Sequence, residues 1–171
     1  MLDSYKVEVT INHNSEVFDV SKTESLACVL REKANLCWPA EQDRVEEKCR
    51  SCNYNKFPVL LNGNVVNATF VLAMDIGNAE IETFDSLYSD PSMKKIIDSF
   101  IKCQADQYGY CILGMELALY ATLRHESIPT REDVRRMLSG NLCSCTGERK
   151  IEKAIDNILK IATTVMNSQA K

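Results

Sequence analysis

Apolar and polar residues alternate from Tyr5 to Ile11, with Val7, Val9 and Ile11 set against Lys6, Glu8 and Thr10. A period of two predicts a half-buried strand. Asn12-His13-Asn14-Ser15 carries turn chemistry, and Val17 to Val20 predicts a second strand, so the two form a hairpin. Thr23 is suited to an N-cap, with Leu26, Val29, Leu30 and Ala34 at helical spacing behind it; this predicts a helix over 24–34, with Cys28 as a small core residue. No period survives from Leu36 to Lys56. Phe57 to Leu61, the Asn62-Gly63 turn and Val65-Val66 then predict another hairpin, Phe70 to Met74 is a short apolar stretch, and Glu80 to Phe84 predicts a last strand. Together these elements make a small mixed sheet with one helix across it.

Beyond Leu87 the spacing of apolar residues changes to that of helices. Asp90-Pro91 opens one with Met93, Ile96, Ile97, Phe100 and Ile101 on one face. Gln107 to Cys111 reads as a turn, followed by a long helix from about Ile112 to Arg124 with Leu113, Leu117, Tyr120 and Ala121 inward. Thr130, with Asp133 three residues on, predicts a capping-box-like start for a helix over 131–138, closed by Ser139-Gly140. Thr146 is expected to cap a final helix carrying Ile151, Ala154, Ile155, Ile158, Leu159 and Ala162. The class is α+β: a sheet-bearing unit over 1–84 followed by an all-α unit of four helices over 85–171.

Composition excludes several functions. The chain has 171 residues, 45% of them hydrophobic and 26% charged, with a formal net charge of -4. These values describe an ordinary globular protein, long enough to bury a core and without the basic footprint of a nucleic-acid partner. No apolar run reaches the ~18 residues of a membrane span, and the alternating N-terminus is unlike a signal peptide, so a cytoplasmic location is expected. In that compartment eight Cys favour metal or redox chemistry over a disulfide framework. His13 and His125 read as surface residues, and nothing in the chain resembles a nucleophile–base pair or a phosphate-binding loop.

The strongest chemical signal is Ser-Gly-Asn-Leu-Cys-Ser-Cys-Thr-Gly at 139–147. Cys143 and Cys145 are separated by one residue, a poor spacing for bridging to each other and a good one for holding a single metal. Gly140 and Gly147 let the backbone turn tightly and bring its N–H groups near the sulfurs. A second pair, Cys49 and Cys52, has the two-residue gap by which thiolates share a metal.

The layout, over about residues 5–162, resembles the small iron-sulfur subunit of the molybdenum hydroxylases, the family of xanthine dehydrogenase, aldehyde oxidoreductase and aerobic carbon monoxide dehydrogenase. Members have a plant-type ferredoxin domain with a β-grasp sheet, then a four-helix domain, each holding one [2Fe-2S] cluster. Their second cluster is bound by a Gln-Cys-Gly-Tyr-Cys turn and an Asn-Leu-Cys-Arg-Cys-Thr-Gly turn. This chain has Gln107-Tyr108-Gly109-Tyr110-Cys111 and Asn141-Leu142-Cys143-Ser144-Cys145-Thr146-Gly147, with Gly114-Met115 also matching.

The resemblance implies Cys111, Cys143 and Cys145 as ligands of a C-terminal [2Fe-2S] cluster, with Gly109, Gly140 and Gly147 shaping its loops. Tyr108 stands where the family has its first Cys; the fourth ligand is then Tyr108 as phenolate or Cys103, unless Tyr108 only fills the vacated space. In the N-terminal loop only Cys49 and Cys52 match and remain as remnants. Asp43 or Arg44 falls where another Cys would lie, Thr69 replaces the last, and Glu46 and Glu47 come close to the cluster position. No cluster is expected there, and the spacing of Cys37 does not repair the set. Three functions follow as expectations: an electron-transfer subunit partnered with a molybdopterin-binding large subunit and a FAD-binding subunit, a structural or assembly subunit that has lost redox chemistry, or a zinc site on the same three thiolates.

Overall fold

In a computed structural model, the described residues are 4–36, 57–106, 109–124, 129–141, 143 and 146–169. The expectations placed on the 37–56 stretch with Cys37, Cys49 and Cys52, and on Tyr108, His125 and Cys145, fall outside them.

Strands β1, Ser4–Ile11, and β2, Asn14–Ser21, pair antiparallel with Val7 opposite Phe18 and Ile11 opposite Asn14. The connection is two residues, Asn12 and His13, both at positive φ (49° and 69°), a turn whose twist matches that of the strands. Consequently β2 starts at Asn14, earlier than the apolar residues alone predict. Val7, Val9, Ile11 and Val20 are buried. Strands β3, Pro58–Leu61, and β4, Asn64–Asn67, form the second hairpin across Asn62 and Gly63, at φ 50° and 78°. The short β5, Glu80–Glu82, runs parallel to β1 and antiparallel to β3, closing a five-stranded mixed sheet in the order β2-β1-β5-β3-β4.

The helix expected over 24–34 is shorter and differently wound. Ser25, not Thr23, is the N-cap, its side chain accepting from the Cys28 amide; α1 spans Leu26–Cys28 and passes into a π turn over Val29–Lys33. Glu24 has another task, accepting from the Ser21 amide and pairing with Lys33. Leu26, Ala27, Val29 and Leu30 are all buried, so the wider turn presents a broad apolar surface. Cys28 is half-buried rather than a core residue. The 70–74 stretch forms no strand: turns of 3-10 helix occupy Ala68–Phe70 and Ala73–Asp75, burying the alanines and leaving Phe70 and Leu72 exposed.

The helical layer begins with the single turn α2, Phe84–Leu87. Helix α3, Pro91–Lys102, is opened as expected: Asp90 Oδ1 accepts from the amides of Ser92 and Met93, and Pro91 occupies the first turn. Its inner stripe is Met93, Ile96 and Phe100. Ile101, predicted inward, is 52% exposed, and Ser99 is buried in its stead, donating to the carbonyl of Ala154 at 2.9 Å.

Helix α4 spans Gly109–Leu123, starting three residues before the predicted Ile112, so Cys111 lies in its first turn rather than in a preceding loop. Apart from Glu116 and Thr122 its described side chains are apolar on every side, and from Cys111 to Thr122 nearly all are buried, as in a central helix. Helix α5, Arg131–Leu138, carries the capping box of Thr130 and Asp133. Gly140 does not close it in the left-handed conformation, since Gly63 and Gly147 are the glycines at positive φ among the described residues; the chain turns by Asn141 N–H donating to the Leu138 carbonyl at 2.8 Å. Helix α6 is Glu148–Gln169.

Two apolar clusters result. One holds the β1, β2 and α1 residues with Val59 and Ile81; the other joins α3, α4, α5 and α6 with Leu60. Val59 and Leu60 are neighbours on β3, and alternation along a strand sends their side chains to opposite faces.

Candidate metal centre

The long helices α4 and α6 each start beside a cysteine, and the first turn of a helix leaves backbone N–H groups without intrahelical partners. These groups and the aligned peptide dipoles favour a thiolate or another anion there. Cys111, in the first turn of α4, is 4% exposed. Cys143, just ahead of α6, is half-buried and packs against the helical cluster that includes Ile112 and Met115. The amide of Thr146 donates to Cys143 Sγ at 3.5 Å, so the backbone curls around this sulfur.

Gly147 makes that curl possible. Its φ is +87°, a conformation that a Cβ would strain, and its carbonyl accepts from the amides of Lys150 and Ile151 as the first bonds of α6. Gly147 therefore takes the capping position that was expected of Thr146. Thr146 is 5% exposed, and its Oγ1 is a buried polar atom with no hydrogen-bond partner among the described residues.

Cys103 is placed elsewhere. It ends α3 half-buried, and Asn157 Nδ2 donates to its sulfur at 3.3 Å. Asn157 stands nine residues past the start of α6 at Glu148, roughly 13 Å along the axis. The structure thus holds Cys103 toward the middle of α6, while Cys143 sits before its beginning. Gly109 opens α4 and Gly140 follows α5. Among the described residues no three His, Cys, Asp or Glu side chains gather closely enough to hold a metal ion; two expected ligands, Tyr108 and Cys145, lie outside those residues.

Sequence reasoning missed a buried acid. Glu116, 4% exposed on α4, has its carboxyl pushed up to about 8, first by burial and then by the negative charge of Asp106. Its signal was present in the sequence, as the one charged residue within Ile112–Leu123.

The donors present fit an iron-sulfur group. Thiolates, a main-chain N–H directed at one of them, a buried hydroxyl in want of a partner and helix starts that favour negative charge are the contacts such a centre uses. Residues 83–156 match the [2Fe-2S] binding domain family. The chain is 32% identical over 157 residues to the 6-hydroxypseudooxynicotine dehydrogenase complex subunit beta of Paenarthrobacter nicotinovorans, covering 90% of this chain and 92% of that one. It is 30% identical over 152 residues to the nicotinate dehydrogenase small FeS subunit of Eubacterium barkeri, covering 88% and 93%. Among solved structures it is similar to quinoline 2-oxidoreductase from Pseudomonas putida 86, with a TM-score of 0.72 and 29% identity over 94% of this chain and 97% of that one. With sequence, fold and thiol-bearing helix starts in agreement over nearly its full length, this chain belongs to the family of small [2Fe-2S] iron-sulfur subunits of molybdenum hydroxylases.

Proposed function

We propose that this chain is the electron-transfer subunit of a molybdenum hydroxylase-type complex and holds one [2Fe-2S] cluster, in its C-terminal half. The observation that carries the reading is the enclosure of Cys143 by the Thr146 amide at the start of α6. Cys111, Cys143 and Cys145 are the thiolate ligands, and Tyr108 is the fourth; Cys103 is left out because Asn157 engages it away from the start of α6. When bound, the cluster supplies a site that accepts and releases one electron at a time.

The protein's own part is to hold and shield. Burial of Cys111 keeps water from its sulfur, the Thr146 N–H and the helix starts stabilise negative charge, and Gly109, Gly140 and Gly147 shape the loops around the site. Substrate turnover belongs to a molybdopterin-binding large subunit, and electrons leave toward a FAD-binding subunit. Residues 1–84, with the strand order β2-β1-β5-β3-β4 and α1, form a β-grasp ferredoxin-like domain, and 85–171 a four-helix domain. Cys49 and Cys52 are remnants that hold no cluster: Thr69, at the family's last ligand position, is an exposed residue whose amide donates to Asn67 Oδ1. Among the described residues no helix is long and apolar enough to cross a membrane, and we place the complex in the cytoplasm.

Iron and acid-labile sulfide per chain, measured on the anaerobically purified complex with an electron paramagnetic resonance spectrum after reduction, test the reading. About two irons with a [2Fe-2S] signal are expected from one such cluster. About four would show the N-terminal loop to be loaded as well. An intact complex without iron would make this chain a structural subunit, and zinc at the site would exclude electron transfer through it.

A further inference from the structure

The Thr146 hydroxyl is out of place by the ordinary rules of folding. Buried polar atoms find partners, and leaving one unpaired is costly because its lost hydration is not replaced. Thr146 is 5% exposed, yet among the described residues its Oγ1 has no partner, and the capping duty that would have employed it is carried by the Gly147 carbonyl. The same residue's amide lies 3.5 Å from Cys143 Sγ. A threonine Oγ1 is separated from its own amide nitrogen by three bonds, about 3 Å, so this hydroxyl lies within roughly 7 Å of Cys143 Sγ, in reach of a group held there.

Resting on the reading that a [2Fe-2S] cluster binds at Cys143, we propose that the Thr146 hydroxyl donates a hydrogen bond to a sulfur of that centre, either the Cys143 thiolate or a bridging sulfide. Thr146 is then a positioning residue that contributes twice, by its amide and by its side chain. The bond is stronger when the centre is reduced, because reduction adds negative charge to the sulfurs and a donor interacts best with the more negative state. The hydroxyl therefore raises the reduction potential of this centre, making it a better electron acceptor for its neighbour in the chain of carriers. The unpaired state of Oγ1 is the cost of a contact completed on assembly of the cluster.

Thr146→Val keeps the branched shape and removes the hydroxyl; Thr146→Ser keeps the hydroxyl. In the purified complex, titrated electrochemically with the paramagnetic signal as readout, the Val variant is expected to retain its iron and shift to a more negative midpoint, with Ser close to the parent. An unchanged midpoint in the iron-loaded Val variant overturns the proposal while leaving the cluster reading intact. Loss of iron in Val and Ser alike also overturns it, by making side-chain shape the requirement. Absence of iron from the parent complex overturns both. A second readout is independent of activity and of loading. In the metal-free chain Thr146→Val is expected to melt no lower than the parent, because no hydrogen bond is lost. A lower melting temperature of the kind that follows loss of a helix cap would show that the hydroxyl is already engaged and overturn the proposal.

Discussion

Arg124, just past the end of α4, donates from Nη1 to Oε2 of Glu82 at 2.6 Å, tying the helical layer to the last residue of β5, the central strand of the sheet. The Glu82 side chain is only 9% exposed, whereas Arg124 is half exposed and lies over the Tyr120 ring at 5.4 Å. A carboxylate so well buried depends on this partner, and removing one member of such a pair costs more than the pair contributes. Arg124→Ala is expected to lower stability by about 2 kcal/mol, below the fully buried case because the arginine is half solvated. Glu82→Gln is expected to cost less, since its side chain keeps the shape without leaving a charge. Thermal denaturation of the two variants checks the order; equal losses would mean that packing, not the charge, accounts for the effect.

Glu116 makes stability depend on pH. Its carboxyl is raised from 4.5 to about 8 in the folded chain, so between these values the folded state binds more protons than the unfolded state. Stability therefore falls as pH rises through that window, fully present below about 4.5 and lost by about 8, by an amount on the order of a few kcal/mol. Glu116→Gln is expected to flatten this slope. Melting temperatures across pH 5 to 8.5 decide it, and an identical slope in the variant would assign the dependence to other groups.

The two cysteines that the structure separates are expected to behave differently. Cys103→Ser leaves iron per chain unchanged, because Asn157 holds that sulfur away from the start of α6. Cys143→Ser removes a thiolate ligand and is expected to reduce iron by more than half, consistent with how strongly metal affinity depends on ligand identity. Iron determination on both variants, purified side by side, is sufficient; a loss on Cys103→Ser would make that thiol a ligand in place of Tyr108.

Features governed by a few adjacent residues could be read from the sequence. The alternation of β1, the Asn62-Gly63 turn, the Asp90-Pro91 start of α3 and the Thr130–Asp133 capping box all rest on bonds between near neighbours. What escaped is set by distant parts of the chain. Ser99 replaces Ile101 on the inner face of α3 because it reaches Ala154, 55 residues away, and Cys103 answers to Asn157, 54 residues away. At the candidate site the residue types were legible and their duties were not. Thr146 has the chemistry of a cap, but the positive φ of Gly147 lets the main chain supply the cap and leaves the threonine to the sulfur.

Val59 and Leu60 give the chain an unexpected mechanical unity. Each is almost inaccessible, at 1% and 0% exposure, and they serve separate clusters from neighbouring positions on a strand of four residues. A slip of one position along β3 would exchange the faces on which they stand, disturbing both clusters at once. Heat or denaturant cannot then melt one half and spare the other without first breaking this strand. The protein should unfold in one cooperative step, and a partner that grips either half steadies the whole.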